Sequence, residues 1–244
     1  MMDSKLGTPD KPHVSRSRTA KRSGYKTMPR LLELCCGSKS VSKYFEAQGW
    51  ECITVDIDKK FGPSIVADVR DIDPPNTWKA GEFDVVWCSP PCTFFSIARS
   101  RAPRDFRSAD QIVLACWDII RHLISDTTKN VFWFMENPAT GYLKSRPYMQ
   151  EYADDKKTLC YCKYGCPYKK STNIWSNMDW EPRPMCNKWF RCLNFVDNHH
   201  PQTAQKGPSK IKTGMTQDDD FKSEDLYSIP QQLVAQLFDC ISGR

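Results

Sequence analysis

The chain has 244 residues, 40% of them hydrophobic, and a formal net charge of +6. That length fits one large domain, or one domain with a small appendage, and is enough to bury a core. No stretch approaches the roughly 18 uninterrupted apolar residues of a membrane span, and the N-terminus carries no apolar secretion signal, so no membrane-spanning helix and an intracellular protein are expected.

The twelve cysteines are then expected as reduced thiols rather than a disulfide framework. The charge sits at one end. Residues 1–30 hold eight basic residues against Asp3 and Asp10, which accounts for the whole net charge. This segment is poor in apolar residues and is expected to be disordered. It reads either as a grip on nucleic-acid phosphates or as a solubilising leader.

The body starts at Leu31. Residues 31–36 form a short apolar run that predicts a buried strand, and Gly37–Ser40 a turn. Val41, Tyr44, Phe45 and Ala47 then predict a helix, with Ser40 as its N-cap and Gly49 as its stop. Residues 52–55 predict a second strand that runs out at Asp56. Strand, glycine turn, helix, strand and acid is the order of a nucleotide-binding unit, with the acid about 20 residues past the glycine, where ribose hydroxyls are gripped. Dinucleotide sites use three glycines to admit a pyrophosphate. A single Gly37 suits a cofactor without one, such as S-adenosylmethionine.

Further strands are predicted at 64–67, stopping at Asp68, and at 84–87. The latter runs into Ser89-Pro90-Pro91-Cys92. Proline lacks the N–H that a central strand needs, so the strand stops and Cys92 stands at its carboxyl end. In open α/β sheets that edge carries the ligands. Residues 97–107 follow with four arginines and one aspartate, a local positive loop that reads as a phosphate-gripping lid. Ser108–Gln111 has the form of a capping box, and Ile112 to Ile124 supply an apolar helical face. Residues 131–135 predict the next buried strand, ending at Glu136-Asn137-Pro138 beside the Cys92 edge.

In their order, these motifs resemble the cytosine-C5 DNA methyltransferases, most closely the small members from phage and large DNA viruses. The Pro-Cys motif with its Phe-Ser tail matches Pro91-Cys92-Thr93-Phe94-Phe95-Ser96, and the Glu-Asn motif matches Glu136-Asn137. The cofactor turn matches Leu32 to Gly37, with Ser38 and Lys39 where further glycines are usual. Residues 164–175 resemble a later motif, with Lys170 and Thr172 in place of arginines, and residues 229–233 the closing one.

The resemblance implies an α/β fold: a Rossmann-like S-adenosylmethionine-dependent methyltransferase sheet with helices on both faces. It implies a catalytic and cofactor-binding domain over 31–176, a small loop-rich target-recognition region over 177–226, and a C-terminal helix over 227–244 returning to the catalytic domain. It further implies Cys92 as nucleophile, with Glu136 and Lys170 assisting, and S-adenosylmethionine bound by Leu34, Cys36, Gly37, Asp56, Ile57, Asp68 and Pro90. S-adenosylhomocysteine is the implied product. DNA, most simply duplex, is the implied partner, met by Ser96, Arg99, Arg101, Arg104, Arg107 and Thr172. A viral member would work in the host cytoplasm or nucleus.

The chemistry explains the residue types. Cytosine C5 is a poor nucleophile until a thiolate adds at C6, and cysteine is the strongest such nucleophile near neutral pH. A carboxyl on the N3 edge and a cation near O2 absorb the charge that develops on the ring. The base has to leave the stack to be reached. RNA such as tRNA is a variant substrate for the same chemistry, and a catalytically silent nucleic-acid-binding protein is the rival class. Ser89-Pro90-Pro91 also resembles the amino-group methyltransferases, but Cys92 replaces the aromatic that would stack on their base.

Cys35, Cys36, Cys52, Cys88, Cys116 and Cys240 lie in apolar contexts and are expected in the core. Cys160 and Cys162 share a face where 158–163 is extended. Cys186, Cys192 and His199 offer three ligands of a zinc site, at a looser spacing than a tight knuckle.

Overall fold

The computed structural model describes residues 28–97, 103–195, 199–204, 207–208 and 227–243. The basic segment before Met28, Arg99, Arg101 and most of the 205–226 stretch lie outside them.

The chain runs through β1 (Arg30–Leu34), α1 (Ser40–Ala47), β2 (Glu51–Asp56), β3 (Ile65–Val66), α2 (Pro74–Thr77), β4 (Val85–Cys88) and α3 (Phe106–Leu123). It continues through β5 (Phe132–Pro138), β6 (Lys156–Cys160), β7 (Tyr168–Lys169), β8 (Ser171–Ser176), β9 (Gln202–Thr203), β10 (Gly207–Pro208) and α4 (Gln231–Ser242). Seven strands form one sheet in the order β3-β2-β1-β4-β5-β8-β6. β1 to β5 are mutually parallel, and β8 inserts antiparallel between β5 and β6. A small second sheet pairs β10, β9 and β7.

Both faces of the sheet centre are buried, which is why β1, β4 and β5 read as nearly continuous apolar runs. Successive side chains alternate between two cores. Leu32, Leu34, Val86, Cys88, Trp133 and Met135 pack with α3 through Val113, Cys116, Trp117 and Ile120. Leu31, Val85, Trp87 and Phe134 face the other way, with Val41 and Phe45 of α1 and Leu233, Leu237 and Phe238 of α4. The Phe45 and Phe238 rings meet edge-on at 5.2 Å. The fold is therefore the expected α/β sheet with helices on both faces.

Several local expectations change. Ser40 is the first residue of α1, not its cap; the cap is Lys39, in the left-handed region at φ 56°. The Ser40 hydroxyl instead accepts from Ile229 N at 2.9 Å. α3 begins at Phe106, two residues before the supposed capping box, because Asp105 caps it by accepting from Ser108 N. β5 runs on through Pro138, since Glu136, Asn137 and Pro138 pair with Ile174, Asn173 and Thr172 of β8. β6 stops at Cys160, and Cys162 lies in a 3-10 turn, so the two cysteines do not share a strand face. Cys240 is exposed rather than core, and Cys35 and Cys52 are only partly buried.

Candidate active site

Strand register builds the site. Leu34 of β1 lies beside Cys88 of β4, and Cys88 beside Met135 of β5, so all three strands end at one edge. Glu136 therefore stands next to the chain that leaves β4 toward Cys92. β8 enters at the same edge: Thr172 faces Pro138, which sets Lys170 just outside the sheet. Parallel strands deliver Cys92 and Glu136, and the inverted β8 delivers Lys170.

These residues line one cleft of about 230 Å³ that opens to solvent. Its wall includes Glu33 of β1, Cys36, Gly37 and Ser38 from the β1–α1 turn, Phe61, Pro90, Cys92, Glu136, Lys170, and Tyr227 and Ile229 from the segment before α4. The β1–α1 turn is unusual in backbone. Cys35, Gly37 and Lys39 all have positive φ, at 53°, 46° and 56°. Two of the three are not glycine, at a cost of about 1 kcal/mol or more each. Lys39 is held there by its own ammonium, which donates to Gly62 O at 2.7 Å and ties down the loop bearing Phe61. The turn thus reaches a glycine-like shape with fewer glycines.

The loop after β4 is fixed from β5. Asn137 Nδ2 donates to Pro90 O at 3.0 Å in a buried bond. Phe95 N closes a turn onto Cys92 O at 3.0 Å, and Phe95 is wholly buried. Gly141 lies against Phe95 O and Pro138 O, where a Cβ would come within 3.3 and 3.2 Å. These contacts aim Cys92 into the cleft.

Glu136 is buried and accepts from the Tyr161 hydroxyl at 3.0 Å. Lys170 Nζ stands 3.8 Å from the same Glu136 oxygen and 4.7 Å from the Tyr161 ring centroid. Burial pushes the Cys92 thiol above its usual range, the Glu136 carboxylate pushes it further, and Lys170 opposes both. Burial likewise raises the Tyr161 phenol well above its usual range, and Glu136 adds to it. Glu33 is buried at the floor of the cleft and accepts from Ser42 N at 2.9 Å. Burial lifts it from 4.5 to about 7 against that hydrogen bond.

Of the residues expected at the site, Cys92, Glu136, Lys170, Cys36, Gly37 and Pro90 line the cleft. Leu34, Asp56, Ile57 and Asp68 are not among its lining residues. Leu34 is core. Asp56 holds the turn together instead, accepting from Gly37 N and from Asp58 N, both at 2.9 Å. Ile57 is exposed. Asp68 pairs with Arg70, which lowers its pKa.

Among the expected nucleic-acid contacts, Arg107 is exposed, and Ser96 is half-buried. Arg104 donates to Ser96 O at 3.2 Å and lies over the Tyr142 ring. Thr172 is fully buried between β5 and β6, away from any surface. Tyr161, Glu33 and Tyr227 were not anticipated. Glu33 alone had a signal, a lone acid inside an apolar strand.

The zinc reading also shifts. Cys186 and Cys192 converge, but with Cys162 and His200 rather than His199.

No protein-family model matches the chain. The chain is 30% identical, over 184 residues, to the probable DNA (cytosine-5)-methyltransferase of Frog virus 3 (isolate Goorha), covering 69% of this chain and 80% of that protein. The chain belongs to the DNA (cytosine-5)-methyltransferase family. The methyltransferase fold is seen again in the Entamoeba histolytica methyltransferase EhMeth, at TM-score 0.53 and 13% identity, over 89% of this chain and 99% of that one. The S. pombe Dnmt2 methyltransferase superposes at TM-score 0.43 and 13% identity, over 63% of this chain. The chain spans about half the length of that protein, 51%. Membership of this family implies S-adenosylmethionine as cofactor and a nucleic acid as substrate. No helix among the described residues is long and apolar enough to cross a membrane.

Proposed function

We propose that this methyltransferase transfers a methyl group to C5 of cytosine in duplex DNA, through a covalent bond from Cys92 Sγ to C6 of a flipped-out base. The observation that carries the reading is the meeting of Cys92, Glu136 and Lys170 in one cleft that continues to the Cys36–Gly37–Ser38 turn. The cleft suits the cofactor. Phe61 and Pro90 offer apolar walls, the turn offers close backbone, and buried Glu33 offers a carboxylate for a cationic ligand. Cys36, Gly37, Phe61, Pro90 and Glu33 would hold S-adenosylmethionine, which when bound supplies an electrophilic methyl group.

The protein's own groups do the rest. The target base is drawn from the stack into the cleft. Glu136 meets its N3 edge, and Lys170 sits where charge on O2 develops. Cys92, ionised against its raised pKa, forms a bond from Sγ to C6, and the electron pair moved onto the ring makes C5 nucleophilic. C5 takes the methyl group. Solvent water then takes the C5 proton, the ring double bond re-forms, and the Cys92 thiolate leaves. Tyr161 acts through Glu136: its hydroxyl fixes one carboxylate oxygen and leaves the other for the base.

The test is label transfer from S-adenosylmethionine to duplex DNA, single-stranded DNA and tRNA in parallel, with the product base identified. The reading requires 5-methylcytosine in duplex DNA. Transfer to tRNA alone would replace DNA by RNA as substrate, and binding without transfer to any of the three would leave a silent binding protein.

A further inference from the structure

Away from the cleft, four ligand-type side chains point at one another. Cys162, Cys186, Cys192 and His200 place their sulfur and nitrogen atoms all within 4.8 Å of one another. His200 Nε2 lies 3.3 Å from Cys192 Sγ and 3.7 Å from Cys186 Sγ. Around a tetrahedral zinc, with Zn–S near 2.3 Å and Zn–N near 2.0–2.1 Å, neighbouring ligand atoms stand about 3.5–3.8 Å apart. All twelve cysteines are free thiols, so the cluster is not a set of disulfides. We propose that Cys162, Cys186, Cys192 and His200 bind one structural zinc ion.

A plain apolar cluster is the competing account, and it explains less. Cys160 is as buried as Cys162 and its sulfur touches the Cys162 side chain, yet it turns to Ser171 Oγ and Met185 Sδ, each at 3.6 Å, and stays outside the converging four. The four converging groups come from three separate segments and include an imidazole, the set that closed structural zinc sites use. The His200 ring is also held from outside: it meets Phe195 edge-on at 5.2 Å, and the Arg191 guanidinium covers Phe195 at 5.1 Å.

The chain around the cluster needs such a staple. Between Ser176 and Gln202 it has no helix or extended strand among the described residues. Small regions without a sufficient apolar core are held by metal or disulfide. Zinc would close the loop 186–192 and fasten it to the 3-10 turn Tyr161–Tyr164, which also carries the Tyr161 partner of Glu136. The tip of that loop presents Trp189 and Phe190, 77% and 59% exposed, beside Lys188. Aromatic and basic side chains on one fixed loop suit contact with bases and phosphates. The inference does not depend on the methyl-transfer reading, because its readout is metal content.

The experiment measures zinc by elemental analysis in the full-length protein, purified without added zinc or strong chelator. The expected result is one zinc per chain. His200→Ala and Cys192→Ser lose it, while His199→Ala and Cys160→Ser keep it. Cobalt added to zinc-depleted protein should give the thiolate charge-transfer and intense visible bands of a tetrahedral site, in the wild type and in His199→Ala. A folded wild-type chain that holds no zinc and takes up none overturns the proposal, even should His200→Ala fail to fold. Equal zinc content in His199→Ala and His200→Ala, or loss of zinc in Cys160→Ser, overturns the ligand set.

Discussion

Glu33 makes the folded protein lose stability as pH rises through neutrality. Its carboxyl is 2% exposed, and burial lifts it from 4.5 to about 7. Below both values it is protonated in the folded and unfolded chain alike. Between them the folded chain keeps a proton that the unfolded chain has released, so unfolding becomes easier with each unit of pH, by up to about 1.4 kcal/mol. Above about 7 the penalty is complete. From pH 5 to pH 8 the share due to Glu33 is roughly 2–3 kcal/mol, a large part of a typical domain's stability. Glu33→Gln keeps the shape and cannot ionise. Urea unfolding without cofactor, at pH 5 and pH 8, should therefore show the variant gaining that amount on the wild type between the two. Parallel pH dependences in the two proteins would refute the reasoning, because Glu33 would then titrate as an exposed carboxyl does.

Two further outcomes follow from the site. Tyr161→Phe removes the hydroxyl that Glu136 accepts at 3.0 Å. Such a bond to a charged group is worth about 1.5–3 kcal/mol, so kcat should fall roughly 10- to 100-fold while cofactor affinity, measured by calorimetry, stays unchanged. Because burial and Glu136 raise the Cys92 thiol while Lys170 lowers it, kcat/KM should climb with pH into the alkaline range. Lys170→Met should move that limb still higher, and a shift downward in the pH–rate profile would contradict the assignment.

Much of the fold is legible in residues 30–138 because the central parallel strands β1, β4 and β5 are buried on both faces. Leu31-Leu32, Val85–Cys88 and Phe132–Met135 are therefore apolar runs with abrupt ends. The ends mattered as much as the runs: Pro90-Pro91 stops β4 where Cys92 is needed. The same proline logic misjudged β5, since Pro138 still sits in the ladder opposite Thr172. Pro138 is the last residue of β5 and lies past Met135, where the pairing with β4 ends, so its missing N–H leaves no ladder partner unmet.

What stayed hidden was long-range. Nothing in Lys156–Ser176 announces that β8 inserts between β5 and β6, yet that insertion sets Lys170 and Tyr161 around Glu136. Asp56 illustrates another limit. An acid at a strand end reads as a ligand group, and here it accepts backbone N–H groups of the turn. For the metal cluster, the Cys-x5-Cys spacing pointed to the right loop, but the choice of His200 over His199, and the arrival of Cys162, are set by tertiary packing.

The central claim is that Cys92 bonds to cytosine, and trapping that bond tests it most directly. Fluorine at C5 of the target base cannot leave as a proton does, so the adduct formed after methyl transfer persists. Duplex DNA carrying 5-fluorocytosine, with S-adenosylmethionine and the protein, should yield a denaturant-stable complex with one oligonucleotide on the peptide bearing Cys92. Cys92→Ser should form none while still binding S-adenosylmethionine. Methylated product without any adduct, or an adduct on another cysteine, would contradict the account.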